Sequence, residues 1–189
     1  MIVAKSEVAQ FMNKAVRETI LLILIAVIVF LGMRFSVQTY IVYGPSMQPN
    51  YVANEWVIVN KLVYKLHAPN RGDIIVLRPP IENGKNLIKR VIGLPGESVE
   101  IKNGVVYIYK TDGTILKLDE SYVKYVALQD FSKHPVLNDR YFVLGDNRNN
   151  SDDSRTGWTA LRSEIIGKAW LDIWPPSRWG LAPNYRLPK

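Results

Sequence analysis

The stretch VEIKNGVVYIYKTDGTILKL, residues 99–118, carries the clearest fold signal in the chain. Apolar and polar residues alternate in three short runs, which the dipeptides Asn103-Gly104 and Asp112-Gly113 separate. Such dipeptides suit the tight turns of β-hairpins, because their residues tolerate positive φ. The stretch therefore predicts three antiparallel strands.

Strand signals continue on both sides of this stretch. Alternating apolar residues, β-branched side chains and Gly, Pro or Asn punctuation favour strands over helices from Thr39 onward. Residues 119–140 are mixed and polar, and predict a loop-rich excursion. The sequence thus predicts a mainly β domain of antiparallel sheets. The predicted strand segments are QTYIVYG (38–44), EWVIVNKLVY (55–64), RGDIIVLRPP (71–80), NLIKRVIGLPGE (86–97), YFVLG (141–145) and GKAWLDIWPPSRWG (167–180).

One uncharged apolar run, TILLILIAVIVFLGM at residues 19–33, precedes the strands. As a helix its fifteen residues rise roughly 22 Å, and snorkelling of Arg34 makes up part of the deficit against a hydrocarbon core of about 30 Å. A cleaved signal sequence would show small residues soon after the run, and a soluble core helix would show a polar face; neither is present. We therefore expect a transmembrane anchor at residues 18–36.

Basic residues flank this run unequally. Lys5, Lys14 and Arg17 precede it, whereas Arg34 alone follows it closely. The positive-inside bias therefore predicts that residues 1–17 are cytoplasmic and that the remainder lies on the extracytoplasmic side of the plasma membrane.

Composition excludes several classes of site. The 189 residues suit one main domain, and the net charge of +7 is spread without a basic run or a nucleic-acid-binding motif, so no nucleic-acid partner is expected. Cysteine is absent, which excludes disulfides and thiol catalysis. His67 and His134 sit in no ligand pattern, so we expect neither a metal nor another cofactor.

The segment YGPSMQPN, residues 43–50, places Ser46 between two prolines and beside a glycine. Proline fixes φ and glycine permits unusual conformations, so the segment predicts one hydroxyl held in a defined, exposed pose. Ser46 is a candidate nucleophile, although serine in such a context is also an ordinary turn residue.

A candidate base lies on the strand segment 86–97. Lys89 shares a strand face with Leu87 and Val91, so burial would desolvate its amine and lower its pKa toward the range of a general base. Because a nearby carboxylate would restore the charge, we expect none in contact with Lys89. The alternative is a lysine that snorkels at a strand edge.

The most specific stretch is GDNRNNSDDSR, residues 145–155. A calcium loop starting at Asp146 fails where Arg148, Ser151 and Gly157 stand, because these positions require an oxygen ligand, a glycine and a glutamate. A polar surface loop remains an alternative. The density of amide, acidic and arginine side chains favours a hydrogen-bonded, ion-paired scaffold.

Together these segments closely resemble bacterial type I signal peptidases. The resemblance rests on Ser46-Met47-x-Pro49, on Arg71-Gly72-Asp73, on the segment from Lys89 to Glu97, and on Gly145 to Arg155, in this order after an apolar span. It implies a membrane-bound serine protease with a Ser/Lys dyad that removes signal peptides from exported preproteins. It also implies a coiled antiparallel β core, residues 37–98 and 141–189, with a small inserted cap at residues 99–140.

The resemblance assigns roles to particular residues. Ser46 would be the nucleophile, Lys89 the general base, and Ser151 a hydrogen-bond partner that aims Lys89. One departure concerns Gly44, where some bacterial members carry a serine that helps bind the oxyanion. The residues expected to brace the loop are Asp153, Arg155, Arg90 and Asp146.

The implied substrate carries small residues before the cut and would bind by strand addition beside Ser46. Val42, Met47 and Ile88 are candidate walls of its side-chain pockets, or ordinary core residues. The expected partners are the signal-peptide region of exported preproteins and the lipid bilayer. Two rival functions remain: a self-cleaving Ser/Lys repressor protease, and a membrane-tethered β domain that binds peptides without cutting them.

Overall fold

This computed structural model describes residues 2–80 and 85–188. It divides into two compact units, Met1–Val37 and Gln38–Lys189. The first unit is helix α1, Ile2–Ser36, whose side chains are described from residue 14 onward, with the exceptions of residues 15 and 33. Lys5, used above for topology, therefore lies outside the described side chains.

Helix α1 contains the predicted membrane span. Its segment Val16–Ser36 is 21 residues long, has a mean hydropathy of 2.5 and exposes its side chains. By length and composition this segment can cross a bilayer, and it begins two residues before the predicted boundary.

The second unit holds twelve strands within the described residues. The eight-stranded sheet has the order β1-β2-β11-β3-β4-β9-β10, with β12 paired to β11, and the four-stranded sheet has the order β7-β6-β5-β8. This architecture confirms the mainly β, antiparallel prediction. The strands are β1 Val37–Ile41, β2 Trp56–Asn60, β3 Ile74–Leu77, β4 Leu87–Gly93, β5 Ser98–Lys102, β6 Val105–Tyr109, β7 Ile115–Lys117, β8 Phe131–Pro135, β9 Arg140–Leu144, β10 Ala160–Leu161, β11 Ile165–Trp174 and β12 Gly180–Leu181.

The two predicted hairpins form β5, β6 and β7. Asn103 and Gly104 have φ of 52° and 75° and join β5 to β6 through a two-residue loop, as their dipeptide predicted. The loop from β6 to β7 is wider, because the Lys110 and Thr114 backbones bond across it, and Gly113 takes φ of 85°.

One local prediction was incomplete and another was wrong. Residues 119–140 are more than a loop, since β8 pairs with β5 and covers an edge that would otherwise be open. The segment 55–64 is not a strand throughout: Asn60 Oδ1 accepts the backbone N–H groups of Leu62 and Val63, and the short helix α2, Val63–Leu66, follows.

The central strand β4 is buried on both faces. Ile88 packs against one hydrophobic cluster and Leu87 and Val91 belong to another, which agrees with the predicted alternation. Further along β4, Ile92 joins a third cluster that includes residues of both sheets. A polar side chain near the middle of β4 is thereby kept away from water.

Candidate active site

The loop between β1 and β2 holds Ser46. Its ends are tied by Val42 N to Glu55 O at 2.8 Å and by Asn54 N to Val42 O at 2.9 Å. Asn147 fixes its tip, because its backbone N–H donates to Ser46 O at 3.0 Å and its side-chain amide to Pro45 O at 3.3 Å. The role of Asn147 as an anchor was not anticipated from the sequence.

The structure brings the two predicted reactive groups together. Lys89 Nζ lies 2.9 Å from Ser46 Oγ, within hydrogen-bond distance. Lys89 projects from the middle of β4, opposite Ile75 of β3, and is only 2% exposed. Ser46 itself is half-buried. An amine and a hydroxyl thus share one sheltered site, as proton transfer between them requires.

Burial lowers the pKa of Lys89 from 10.5 to about 8. The carboxylates of Asp153, Asp152 and Asp146 oppose this shift, and the Arg155 guanidinium supports it. No ion pair among the described residues includes Lys89, as expected for a base. With this pKa, about one molecule in ten carries a neutral amine at pH 7, against one in a few thousand for an ordinary lysine.

A buried ion pair links β4 to the segment of residues 145–155. Arg90 donates from Nε and Nη2 to the two carboxylate oxygens of Asp146, at 2.8 and 2.7 Å. The Arg90 side chain is fully buried and its guanidinium lies 4.0 Å from the centre of the Tyr122 ring. Because Arg90 adjoins Lys89 in sequence, this pair constrains the strand that carries the amine.

Two further ion pairs organise residues 145–155. Asp153 accepts two bonds from Arg155, both at 2.8 Å, and its Oδ2 also accepts the Gly145 N–H at 3.0 Å. Arg148 pairs with Glu120. The scaffold predicted from sequence is therefore observed, whereas Glu120 was missed because it lies in a segment without a recognisable motif.

Ser151 does not make its predicted hydrogen bond to Lys89. Its Oγ is buried without a hydrogen-bond partner among the described residues. The hydroxyl instead packs beside Gly145: a Cβ built there would lie 2.2 Å from Ser151 Oγ and 2.4 Å from Ser46 O. The absence of a side chain at Gly145 thus lets Ser151 approach the loop that carries Ser46.

We expect Gly145→Ala to lower kcat about 10- to 100-fold, since its methyl group would push Ser151 and the Ser46 loop apart. Gly180→Ala is the matched control, because a Cβ at Gly180 meets nothing within 4 Å. Cleavage assays and unfolding curves of both variants provide the measurement. Equal kcat values for the two variants would contradict the importance of this close approach.

A cleft runs beside the two reactive groups. It has a volume of about 70 Å³ and is lined by Ser46, Lys89 and mostly apolar residues of β1, β3 and β4. Val42 and Ile88, two of the candidate pocket walls, line it. Met47 does not: it is 1% exposed and belongs to a core cluster, because its side chain turns inward below the loop.

The family model that matches this chain and two of its relatives all carry the description of a signal peptidase. The family model described as "Signal peptidase, peptidase S26" matches residues 16–174. The chain is 38% identical over 162 residues to "Probable signal peptidase I-2" of Synechocystis, covering 82% of this chain and 72% of that protein. It is 40% identical over 173 residues to "Signal peptidase I S" of Bacillus subtilis, covering 86% and 91%.

A solved structure is also similar to the chain. It is that of a signal peptidase I from Enterococcus faecalis, with 35% identity and a TM-score of 0.46. The match covers 53% of this chain and 95% of that one.

Proposed function

The chain belongs to the signal peptidase family, peptidase S26, and we propose that it removes signal peptides with Ser46 as nucleophile and Lys89 as general base. One observation carries the assignment: the 2.9 Å approach of Lys89 Nζ to Ser46 Oγ at a site where the amine is almost wholly shielded. The lowered pKa of Lys89 supports it.

The proposed reaction begins with the neutral amine. Lys89 Nζ accepts the Ser46 hydroxyl proton while Oγ attacks the scissile carbonyl carbon, and the resulting ammonium returns that proton to the leaving amine. The signal peptide remains as an ester on Ser46. Lys89 then deprotonates a water molecule, whose oxygen attacks the ester carbonyl. The ester C–O bond breaks, the Lys89 ammonium returns the proton to Ser46 Oγ, and the signal peptide leaves as a carboxylic acid.

The developing oxyanion needs hydrogen-bond donors. We propose the Ser46 backbone N–H as one of them. Gly44, with φ of 78°, leaves open space where a side chain would stand, since a Cβ there meets nothing within 4 Å. This space is compatible with a water molecule as the second donor.

Substrate selection follows from the small apolar cleft. We propose that the peptide binds in extended form between β1 and β4 and that the residues just before the cut face Val42 and Ile88. A cleft of about 70 Å³ accepts small side chains and rejects large ones. This agrees with cleavage after small residues of the Ala-x-Ala type.

Segment Val16–Ser36 fits a membrane-anchored protein. We propose that its residues 18–36 span the plasma membrane once, with residues 1–17 in the cytoplasm and the catalytic unit outside. The basic residues Lys14 and Arg17 on the N-terminal side of the span support this orientation. Anchoring confines enzyme and preprotein to one surface, which raises their encounter rate.

The two rival functions explain the site less well. A peptide-binding β domain without catalysis has no need for an amine that is 2% exposed and directed at a hydroxyl. A self-cleaving repressor protease would carry a DNA-binding domain, whereas the N-terminal helix here exposes an apolar surface. Preprotein cleavage is therefore the function best supported.

Cleavage of a preprotein by the detergent-solubilised protein tests the proposal. We expect kcat/KM to rise with pH and level off above about pH 8, because only the neutral form of Lys89 accepts the Ser46 proton. Asp152→Asn removes an exposed carboxylate that favours the ammonium, so it should move the midpoint to lower pH. No cleavage, or a rate independent of pH between about 6 and 9, would contradict the proposal.

A further inference from the structure

A second cleft lies beside the catalytic site and has no role in the steps above. It has a volume of about 400 Å³, within the usual range of ligand pockets. One wall is formed by residues 128–131, which lead into β8, and the other by residues of the 148–156 segment, including Ser151. Ser46 and Lys89 line the first cleft and not this one.

Ser151 links the second cleft to the reactive centre. Ser151 is one of the residues that line this cleft, and its hydroxyl is buried behind the wall without a partner among the described residues. Through the close approach at Gly145, the same hydroxyl packs against the loop that carries Ser46. The second cleft therefore borders the loop that carries Ser46, so a peptide that continues past the nucleophile needs only a short extended segment to enter it.

The two walls are tied together before any substrate arrives. Asn149 donates from Nδ2 to Val126 O at 2.9 Å and accepts from the Leu128 N–H at 3.0 Å. Arg148, at the base, is held by Glu120 and donates to Gly145 O at 3.1 Å. The cleft is thus preformed, which reduces the ordering that binding would require.

The chemistry of the two clefts differs. The first is lined mostly by aliphatic and tyrosine side chains of the strands. The second presents the amides of Gln129 and Asn149, the hydroxyl of Thr156 and the carboxylate of Asp130, beside the apolar side chains of Leu128 and Phe131. Since its arginines are paired with acids, it carries no strong charge of one sign. It suits a short peptide of mixed polar and apolar side chains rather than a highly charged one.

We propose that the second cleft binds the first residues of the mature chain, on the leaving side of the cut. This inference rests on the proposed function, because a bond cut at Ser46 has peptide on both sides and the apolar cleft accounts for one side only. The second cleft would hold the leaving segment in extended form and direct its amine past Ser151.

Gln129→Trp tests the inference by filling the cleft from its exposed wall. Two peptide substrates carry the same signal sequence and the same first residue after the cut. One peptide ends at that residue as an amide, and the other continues with four polar residues. We expect the unaltered enzyme to cleave the longer peptide with a kcat/KM about 10-fold higher. The substitution should remove this advantage and change cleavage of the shorter peptide less than about 2-fold.

Thr114→Trp is the matched control, because Thr114 is exposed in the β6–β7 loop and does not line the cleft. It should leave both rates unchanged. Equal rates for the two peptides in the unaltered enzyme, or an equal loss for both in Gln129→Trp, would overturn this inference alone. Failure of the unaltered enzyme to cut either peptide would overturn the proposed function together with it.

Discussion

Lys89→Met is expected to lower kcat for preprotein cleavage by about three orders of magnitude or more. Methionine fills a similar volume but cannot accept the Ser46 proton, so the hydroxyl loses the base that activates it. A nucleophile and its base act as a unit, and for that reason Ser46→Ala should cause a loss of similar size. Residual activity above about a tenth in either variant would contradict the assigned roles.

The same Lys89→Met substitution is expected to stabilise the fold at neutral pH. Burial lowers the pKa of Lys89 to about 8 in the folded state, whereas the unfolded value is near 10.5. Below pH 8 the amine is charged in both states, and the folded state bears the cost of shielding it. Removing the charge should therefore add about 1–3 kcal/mol to the free energy of unfolding at pH 7, before the lost bond to Ser46 is counted.

The pH dependence of this gain in stability shows whether it comes from removing the buried charge or from better packing of the methionine. As pH rises from about 8 toward 10.5, the folded protein releases the Lys89 proton before the unfolded chain does, so the unaltered protein gains stability. The difference from Lys89→Met should shrink over that window. Denaturant unfolding at several pH values measures it, and Ser46→Ala, which keeps the amine, should show no such convergence.

The sequence allowed the reactive pair to be predicted because each member has local signals. Pro45 and Pro49 surround Ser46, and aliphatic neighbours on a strand surround Lys89, so the defined pose of the first side chain and the burial of the second follow from short-range patterns. Their 2.9 Å approach does not follow, since it depends on how the loop after β1 lies across β4.

The contacts that no local pattern encodes are those between distant loops. Asn147 and Pro45 are 102 residues apart, and Arg148 and Glu120 are 28 apart. The unpaired state of Ser151 likewise depends on the packing at Gly145, which a motif cannot specify. The hairpins at 99–118 could be predicted because Asn103-Gly104 and Asp112-Gly113 favour turns through their own local conformations, whatever the rest of the chain does.

Asp146→Leu is expected to destabilise the protein by about 3–5 kcal/mol, because it leaves the Arg90 guanidinium buried without a counter-ion. Two carbonyl oxygens, of Gly72 and Pro183, and the Tyr122 ring would remain its partners, and they compensate a full charge poorly. A loss of this size is a large part of a typical domain's 5–15 kcal/mol. Unfolding curves in denaturant provide the measurement. Lys168→Met is the comparison: Lys168 is partly exposed, and the buried Asp73 carboxylate keeps its bonds from the Tyr64 hydroxyl and the Asn70 N–H, so this variant should cost less than Asp146→Leu.

The double variant Arg90→Met/Asp146→Leu shows why Asp146→Leu loses stability. It distinguishes the cost of an unpaired buried charge from a general loss of packing. The double variant should recover more than half of the lost stability, because an apolar pair replaces the ion pair in the same buried space. Its kcat should stay low, since the bidentate link that aligns β4 with the 145–155 segment is absent. A double variant as unstable as Asp146→Leu would show that the pair contributes through packing and not through its charges.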